Sequence, residues 1–242
     1  MAQTQYSSER DTNFCFPIPD ALENDRIKMV PFVPSEHVEE VVASSQSESL
    51  WSYLTFGPFT TCSDFLEVVW EKRVLARNGE TMFVIFDKTK TKEDGTPPIA
   101  GLMGYLDTSA WDLCTEIGFV IIFPPFQRSH VASNAVGLLM HYALDLPENG
   151  GLGLRRVQWQ ANVMNAGSIR LAERMGFQME ATLRWAKVLP LGKEIGSNGC
   201  AERRGDPRAG YVGRDSAQLV VCWDDWENGL REKVDQVMAR KK

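Results

Sequence analysis

The stretch EIGFVIIFPPFQRSHVASNAVGLLMHYA, residues 116–143, decides the fold. Residues 116–123 are almost wholly apolar, which is typical of a strand covered on both faces, and they stop at Pro124-Pro125. A short polar loop then occupies Gln127 to Ala132. After the loop, apolar residues recur at the spacing of one helical face. That face consists of Val136, Leu139, Met140 and Ala143.

A second strand and helix follow the same order. Residues 157–163 alternate apolar and polar side chains, which predicts a strand with one buried face. Asn165 is a suitable N-cap for the next helix, and Gly176 is a suitable end for it. The chain therefore contains two consecutive strand, loop and helix units.

Five further strands and three further helices are predicted outside these units. The strands are Arg26 to Phe32, Met82 to Phe86, Ile99 to Leu106, Met179 to Leu189 and Gln218 to Cys222. One helix follows Ser35 as its cap, one covers Phe65 to Ala76, and one runs from Trp226 to Met238. Pro190 to Asp215 is too long for an ordinary connection and is predicted to be mobile or a lid.

Composition excludes several classes of protein. Of the 242 residues, 43% are hydrophobic, and 26 Lys and Arg against 32 Asp and Glu give a net charge of -6. This acidic balance argues against nucleic acid or a membrane as partner. The start of the chain lacks a signal-peptide core, and the five scattered cysteines suggest a reducing compartment, so we expect a cytoplasmic protein. The three histidines have no ligand spacing, so no metal is expected.

The polar loop of residues 127–132 is a candidate anion site. A buried strand that feeds a helix through a short loop directs backbone N–H groups and the positive end of the helix at one point. A simple polar connection explains the same residues, and spacing alone leaves both readings open.

Three ordered motifs resemble the GNAT superfamily of acyl-CoA-dependent N-acetyltransferases. They are Glu116-Ile-Gly-Phe119, the loop of residues 127–132, and Asn165-x-x-Ser168 followed by Gly176-Phe177. Within that superfamily, residues 51–59 and the closing segment from Gly213 to Trp226 resemble the RimJ/RimL-like branch, which acts on protein N-termini and small amines.

The resemblance implies a cofactor, acetyl-CoA, and a loop that binds its pyrophosphate. That loop consists of Gln127, Arg128, Ser129, His130, Val131 and Ala132. His130 stands where the family usually has glycine, and its side chain could obstruct the phosphates. Three explanations account for a histidine at this position: weaker cofactor binding, a loop rebuilt around Arg128 and Ser129, or lost catalysis. The rebuilt loop is favoured.

Other site residues follow from the same resemblance. Asn165 corresponds to an asparagine that contacts the pantetheine arm, and Ser168 to a hydroxyl near the acyl sulfur, although both also suit a helix start. Ala172 occupies the position of the tyrosine that often protonates the leaving thiolate.

Glu116 is the candidate general base, because the attacking amine must lose a proton and a carboxylate can take it through water. An exposed charge at a strand end is the alternative. The main-chain N–H groups of Gly118, Phe119 and Val120 would polarise the acetyl carbonyl, and Gly118 would permit a bulge.

The sequence thus predicts a flexible tail over residues 1–20 and one α/β domain over residues 21–242. The domain would have a mixed, twisted sheet of six or seven strands, helices on both faces, and a V-shaped cleft between the strands at Glu116 and Val157. The expected activity is acetyl transfer to a primary amine, on a small molecule or a protein N-terminus, by a monomer or homodimer. The alternative is a non-catalytic acyl-CoA-binding or protein-interaction module.

Overall fold

A computed structural model describes residues 13–240 and contains one mixed sheet flanked by helices. The sheet has eight strands in the order β1-β2-β3-β4-β5-β6-β8-β7. Their bounds are β1 Leu22–Glu23, β2 Ile27–Pro31, β3 Thr81–Asp87, β4 Ile99–Ser109, β5 Cys114–Ile122, β6 Arg156–Asn162, β7 Gln178–Val188 and β8 Gly213–Cys222. The two-residue β1 is the strand that the sequence analysis did not predict.

Besides three short 3-10 turns, four helices precede β7 in the described part of the chain. They are α1 Pro34–Ser44; α2, which begins as Cys62–Phe65 and continues with π-type hydrogen bonds over Leu66–Leu75; α3 Val131–Leu144; and α4 Ala166–Arg174. After β8 come the short α5 Trp223–Asp225, a π-type turn Trp226–Leu230, and α6 Arg231–Ala239. None of the helices in residues 13–240 is long and apolar enough to cross a membrane.

Two helix starts differ from the sequence prediction. α1 has Val33 as its N-cap residue and Pro34 at its first position, so Ser35 is not the cap. α2 begins earlier than predicted because the Thr61 hydroxyl accepts the N–H of Asp64. The apolar pattern of that helix predicts that Leu75 is buried, but Leu75 is 42% exposed. The π-type hydrogen bonding rotates the helix surface and buries Val74 instead.

The core forms between the sheet and its helices. The predicted apolar face of α3 is fully buried, and β5 is buried over most of its length, as the sequence predicts. His141 joins α3 to α6, with Nδ1 2.8 Å from Asp145 Oδ2 and Nε2 2.8 Å from Asp235 Oδ1.

Parts of the predicted tail and of the predicted long loop are ordered against the fold. In the predicted tail, residues 1–12 lie outside the described part, whereas Phe14 is buried and its ring stacks on Tyr105 with 6.2 Å between centroids. The predicted loop of residues 190–215 contains a turn at Glu194–Gly196, and its last three residues belong to β8.

Candidate active site

The cleft arises where two parallel strands separate. β5 and β6 are paired at three positions, ending with Glu116 opposite Gln158. Beyond that pair β6 continues with β8, whereas β5 stays with β4. A cavity of about 880 Å³ lies between the freed strand ends and the starts of α3 and α4. The predicted V-shaped opening is therefore present, and Glu116 lies at its apex.

A bulge on β5 faces this cavity. Gly104 of β4 pairs with Gly118, but Leu102 pairs with Ile121, so β5 contains one extra residue. The left-handed backbone lies at Phe119, with φ of 52°, and not at Gly118. A Cβ at Gly118 would lie 2.2 Å from Cδ1 of Leu106, so a larger residue there would have to displace the Leu106 side chain. Phe119 and Val120 have no partner in the β4 register, so their amides are candidates for binding a ligand.

The side chain of Arg73 packs against the bulge residue. Its guanidinium lies 5.1 Å from the ring centroid of Phe119 and 5.5 Å from that of Phe56. The same guanidinium binds the buried Glu80, with Nε 3.1 Å from Oε2 and Nη2 3.2 Å from Oε1. Arg73 therefore connects a buried carboxylate to the residue in the left-handed conformation.

The loop before α3 is held by its own side chains. The amide of Gln127 donates to the carbonyl of Ile122 at 2.9 Å. The hydroxyl of Ser129 donates to the carbonyl of Phe126 at 2.5 Å and accepts the N–H of Val131 at 3.3 Å. Arg128 has φ of 56°, so it supplies the left-handed residue of this loop. Arg128 and Ser129 therefore set the shape of this loop, and its role as a rebuilt pyrophosphate-binding loop stays a prediction.

His130 does not block the cleft. Its backbone is helical, with φ of -69° and ψ of -21°, so the position does not need glycine. Its ring is directed at a buried carboxylate, with Nε2 3.2 Å from Oδ1 of Asp87, and burial lowers the pKa of this histidine. The cavity wall includes Gln127, Arg128, Ser129 and Ala132 of this loop, but neither His130 nor the fully buried Val131.

Asn165 and Ser168 meet at the start of α4. Oδ1 of Asn165 accepts the N–H of Ser168 at 3.1 Å, which confirms the predicted N-cap. The hydroxyl oxygen of Ser168 accepts the indole N–H of Trp159 at 3.0 Å, so its proton is free to be donated elsewhere. All three residues line the cavity. Ala172 is fully buried and outside the cavity wall.

Glu116 is not an exposed strand-end charge. The residue is 7% exposed and lines the cavity. Burial, followed by the nearby charge of Asp107, raises the pKa of Glu116 to about 7, against opposing effects from Lys187, Arg214 and Arg73. A carboxylate with a pKa near neutrality is suited to general base catalysis.

Apart from Arg128, sequence reasoning missed the basic side chains of the cavity. The cavity wall includes six arginines and one lysine: Arg73, Arg77, Arg128, Arg170, Arg174, Arg214 and Lys187. The carboxylates among the described residues of this wall are Asp107 and Glu116. The cleft is therefore basic in a chain of net charge -6. These cations come from five separate segments and have no common motif, so only the fold brings them together.

Comparison with known proteins identifies the family. The model of the acetyltransferase (GNAT) domain matches residues 26–178, which is more than half of the chain. The chain belongs to the GNAT acetyltransferase family. No curated protein matches it significantly by sequence.

Solved structures share the GNAT fold at low identity. A GCN5-related N-acetyltransferase from Brucella melitensis has 24% identity and a TM-score of 0.70, covering 92% of this chain and 88% of its own. Spermidine N-acetyltransferase from Vibrio cholerae, solved with CoA and spermine, has 16% identity and a TM-score of 0.60, covering 85% and 100%. RimL, a ribosomal L7/L12 alpha-N-protein acetyltransferase, has 18% identity and a TM-score of 0.61, covering 84% and 93%.

Proposed function

We propose that this protein transfers an acetyl group from acetyl-CoA to a primary amine by direct attack in a ternary complex. The observation that carries the proposal is the position of Glu116, a buried carboxylate with a pKa of about 7, at the point where β5 and β6 separate. A base and a ligand-sized cleft therefore occur at one place. Family membership supplies the reaction class, acyl transfer.

The residues of the cleft fit a coenzyme A thioester. A volume of about 880 Å³ is in the usual range for a small-molecule site. The start of α3 offers main-chain N–H groups, and Arg128, Arg170 and Arg174 of the cavity wall supply positive charge, with Nη2 of Arg174 3.3 Å from the Ser133 hydroxyl in the first turn of α3. Asn165 would contact the pantetheine arm. These features suit a ligand that carries several phosphate charges at one end.

The chain's own residues would perform three tasks. Glu116 takes the proton that the amine loses as its nitrogen bonds to the acetyl carbon, either directly or through water. The amides of Phe119 and Val120 donate to the carbonyl oxygen, where negative charge develops. The hydroxyl of Ser168 donates a hydrogen bond to the sulfur, which leaves as a thiolate when the carbon–sulfur bond breaks. The donor supplies the activated acetyl group.

We also propose that the protein belongs to the RimJ/RimL-like branch of the family. Residues 51–59 carry that resemblance, and four of them, Tyr53 to Phe56, line the cavity. This wall would face the acceptor, a small-molecule amine or a protein N-terminus. The cytoplasmic location stays a prediction.

Two measurements test the function. Calorimetry with acetyl-CoA should show saturable binding, and release of free thiol should depend on an added amine. Omission of the amine controls for simple hydrolysis. Binding without turnover on any amine would favour the alternative, a non-catalytic acyl-CoA-binding module, which the buried Ala172 motivates because no phenol occupies that position. Absence of binding would contradict both.

A further inference from the structure

The cavity contains a pair of basic residues on the side of Glu116. Lys187 of β7 and Arg214 of β8 are directly opposite each other in the sheet register, and both line the cavity. Like charges at opposite positions of neighbouring strands repel each other and destabilise the pair. Such an arrangement is relieved when an anion binds between or beside the two cations.

Arg214 has donor capacity that the protein does not use. The residue is 7% exposed, and its Nη1 donates to the carbonyl of Tyr53 at 3.1 Å. Its Nε is buried and has no hydrogen-bond partner within residues 13–240. A buried donor without an acceptor is costly, particularly on a charged group. A guanidinium in this state matches the paired oxygens of a carboxylate or a phosphate.

Neither Asp107 nor Glu116, the two carboxylates of the cavity wall, forms an ion pair with Arg214. No carboxylate of the described residues lies within the 4.0 Å that defines an ion pair with Arg214. Glu116, the nearby acid, is itself buried and has a raised pKa of about 7. By contrast, Arg73 has its counter-ion in Glu80. Arg214 is thus a buried cation of the cavity that forms no close ion pair among the described residues, although the charge of Glu116 acts on it from a longer distance.

We propose that the acceptor amine carries an anionic group, a carboxylate or a phosphate, which Arg214 binds with the help of Lys187. The amine would then lie toward Glu116. This inference rests on the proposed acetyl transfer and names its substrate class, of which amino acids are the simplest members. A polyamine fits poorly, because its extra positive charges would lie beside two cations that form no ion pair with the described residues.

Matched ligands test the anion requirement. With CoA present, calorimetry compares N-acetyl-L-amino acids with the corresponding N-acetyl amino amides, and N-acetyl phosphoethanolamine with N-acetylethanolamine. We expect at least one anionic member to bind about tenfold or more tightly than its neutral partner, the size expected of a charge-assisted hydrogen bond. The carboxylate and phosphate arms decide which anion is preferred. Turnover of the free amines, with spermine included, should give the same order.

Substitutions test whether Arg214 causes the preference for anionic ligands. Arg214→Gln should abolish the preference for the anionic ligand and leave acetyl-CoA affinity unchanged, and Arg214→Lys should restore part of the preference. Because Arg214 is buried, Lys187→Gln at the exposed partner provides a second variant that folding does not confound, with a smaller loss. Arg184→Gln, in the same strand but outside the cavity wall, is the matched control and should keep the preference.

Three results would overturn the inference. The first is that no anionic ligand binds more tightly than its neutral partner, and the second is that spermine is the better acceptor. The third is that Arg214→Gln weakens acetyl-CoA binding instead, which would assign the arginine to the donor. Anion-dependent binding without acetyl transfer would refute the proposed function and leave the anion site standing.

Discussion

Glu116 combines deep burial with contact to the cavity, and this combination explains its raised pKa. Water cannot solvate the carboxylate fully, so the charged form is disfavoured until about pH 7. Above that pH the residue is ionised and can accept a proton. The activity limited by this base should therefore rise as the pH passes through about 7.

Glu116→Gln should remove this rise and lower kcat/KM by about 100-fold or more at pH 8. Steady-state rates of the wild type and the variant from pH 5.5 to 9 would measure both effects. Asp107→Asn is the companion variant: since the charge of Asp107 raises the pKa of Glu116, its removal should shift the rise to lower pH. A wild-type rate profile that Glu116→Gln leaves unaltered would exclude Glu116 as the base.

The same burial has a consequence for stability. A carboxyl whose folded pKa lies above its unfolded value favours the folded state below about pH 4.5 and loses that contribution as the pH rises through about 7. Glu116→Gln is therefore expected to match or exceed the thermal stability of the wild type at pH 8. The loss of activity would then reflect chemistry and not unfolding.

Asn165 serves as a helix cap and is proposed to bind the donor, and two substitutions separate these roles. Asn165→Ala removes both, so it should weaken acetyl-CoA binding by about 1–3 kcal/mol and destabilise α4 by about 1 kcal/mol. Asn165→Ser keeps an oxygen that can cap the helix but lacks the amide. Calorimetry and thermal melts measure the two effects. Normal affinity in the serine variant would leave Asn165 with a capping role alone.

At the scale of elements, one lysine fastens the long β7–β8 loop to the cavity wall. Nζ of Lys193 donates to the carbonyls of Trp51, Leu54 and Phe56, at 2.7, 2.9 and 2.5 Å. Burial lowers the pKa of Lys193 to about 8. The residues it holds, 51–56, include four that line the cavity. The loop is thereby coupled to the proposed acceptor site.

Lys193→Met should leave three carbonyls without their donor and lower the free energy of unfolding by about 2–3 kcal/mol. Because the wall of residues 51–56 would lose its support, the acceptor KM should rise while the acetyl-CoA KM stays constant. Lys72→Met, which breaks an exposed ion pair with Glu67, is the control and should cost at most about 1 kcal/mol. Equal effects of the two variants would contradict this role for Lys193.

At the scale of the whole molecule, β4 and β5 pack closely against each other in the sheet that carries the cleft. A Cβ on Gly101 of β4 would lie 2.2 Å from the carbonyl oxygen of Ile121 on β5, where only backbone could give way. Gly101→Ala should therefore lower the free energy of unfolding by about 1–3 kcal/mol or more. Gly167→Ala provides the control for stability, since its Cβ would meet only Oδ1 of Asn165 at 3.6 Å. Denaturant unfolding would measure both, and a neutral Gly101→Ala would contradict the close packing.

The sequence by itself determined the elements and their order. Apolar periodicity predicted the buried β5 and the inner face of α3, and Asn165 was recognised as a cap from its chemical type. These features depend on neighbours within a few residues, so local patterns are sufficient to predict them. The cleft beside Glu116 was predicted from the resemblance to the GNAT superfamily and not from any local pattern.

Tertiary structure alone decided the electrostatics of the cleft. The left-handed residues Phe119 and Arg128, the turn of His130 toward Asp87, and the unpaired Nε of Arg214 all depend on partners far away in the chain. Burial and charge pairing are properties of three-dimensional neighbourhoods, since desolvation depends on every group that excludes water. A linear pattern cannot report them, and for that reason the basic cavity became visible only in the folded chain.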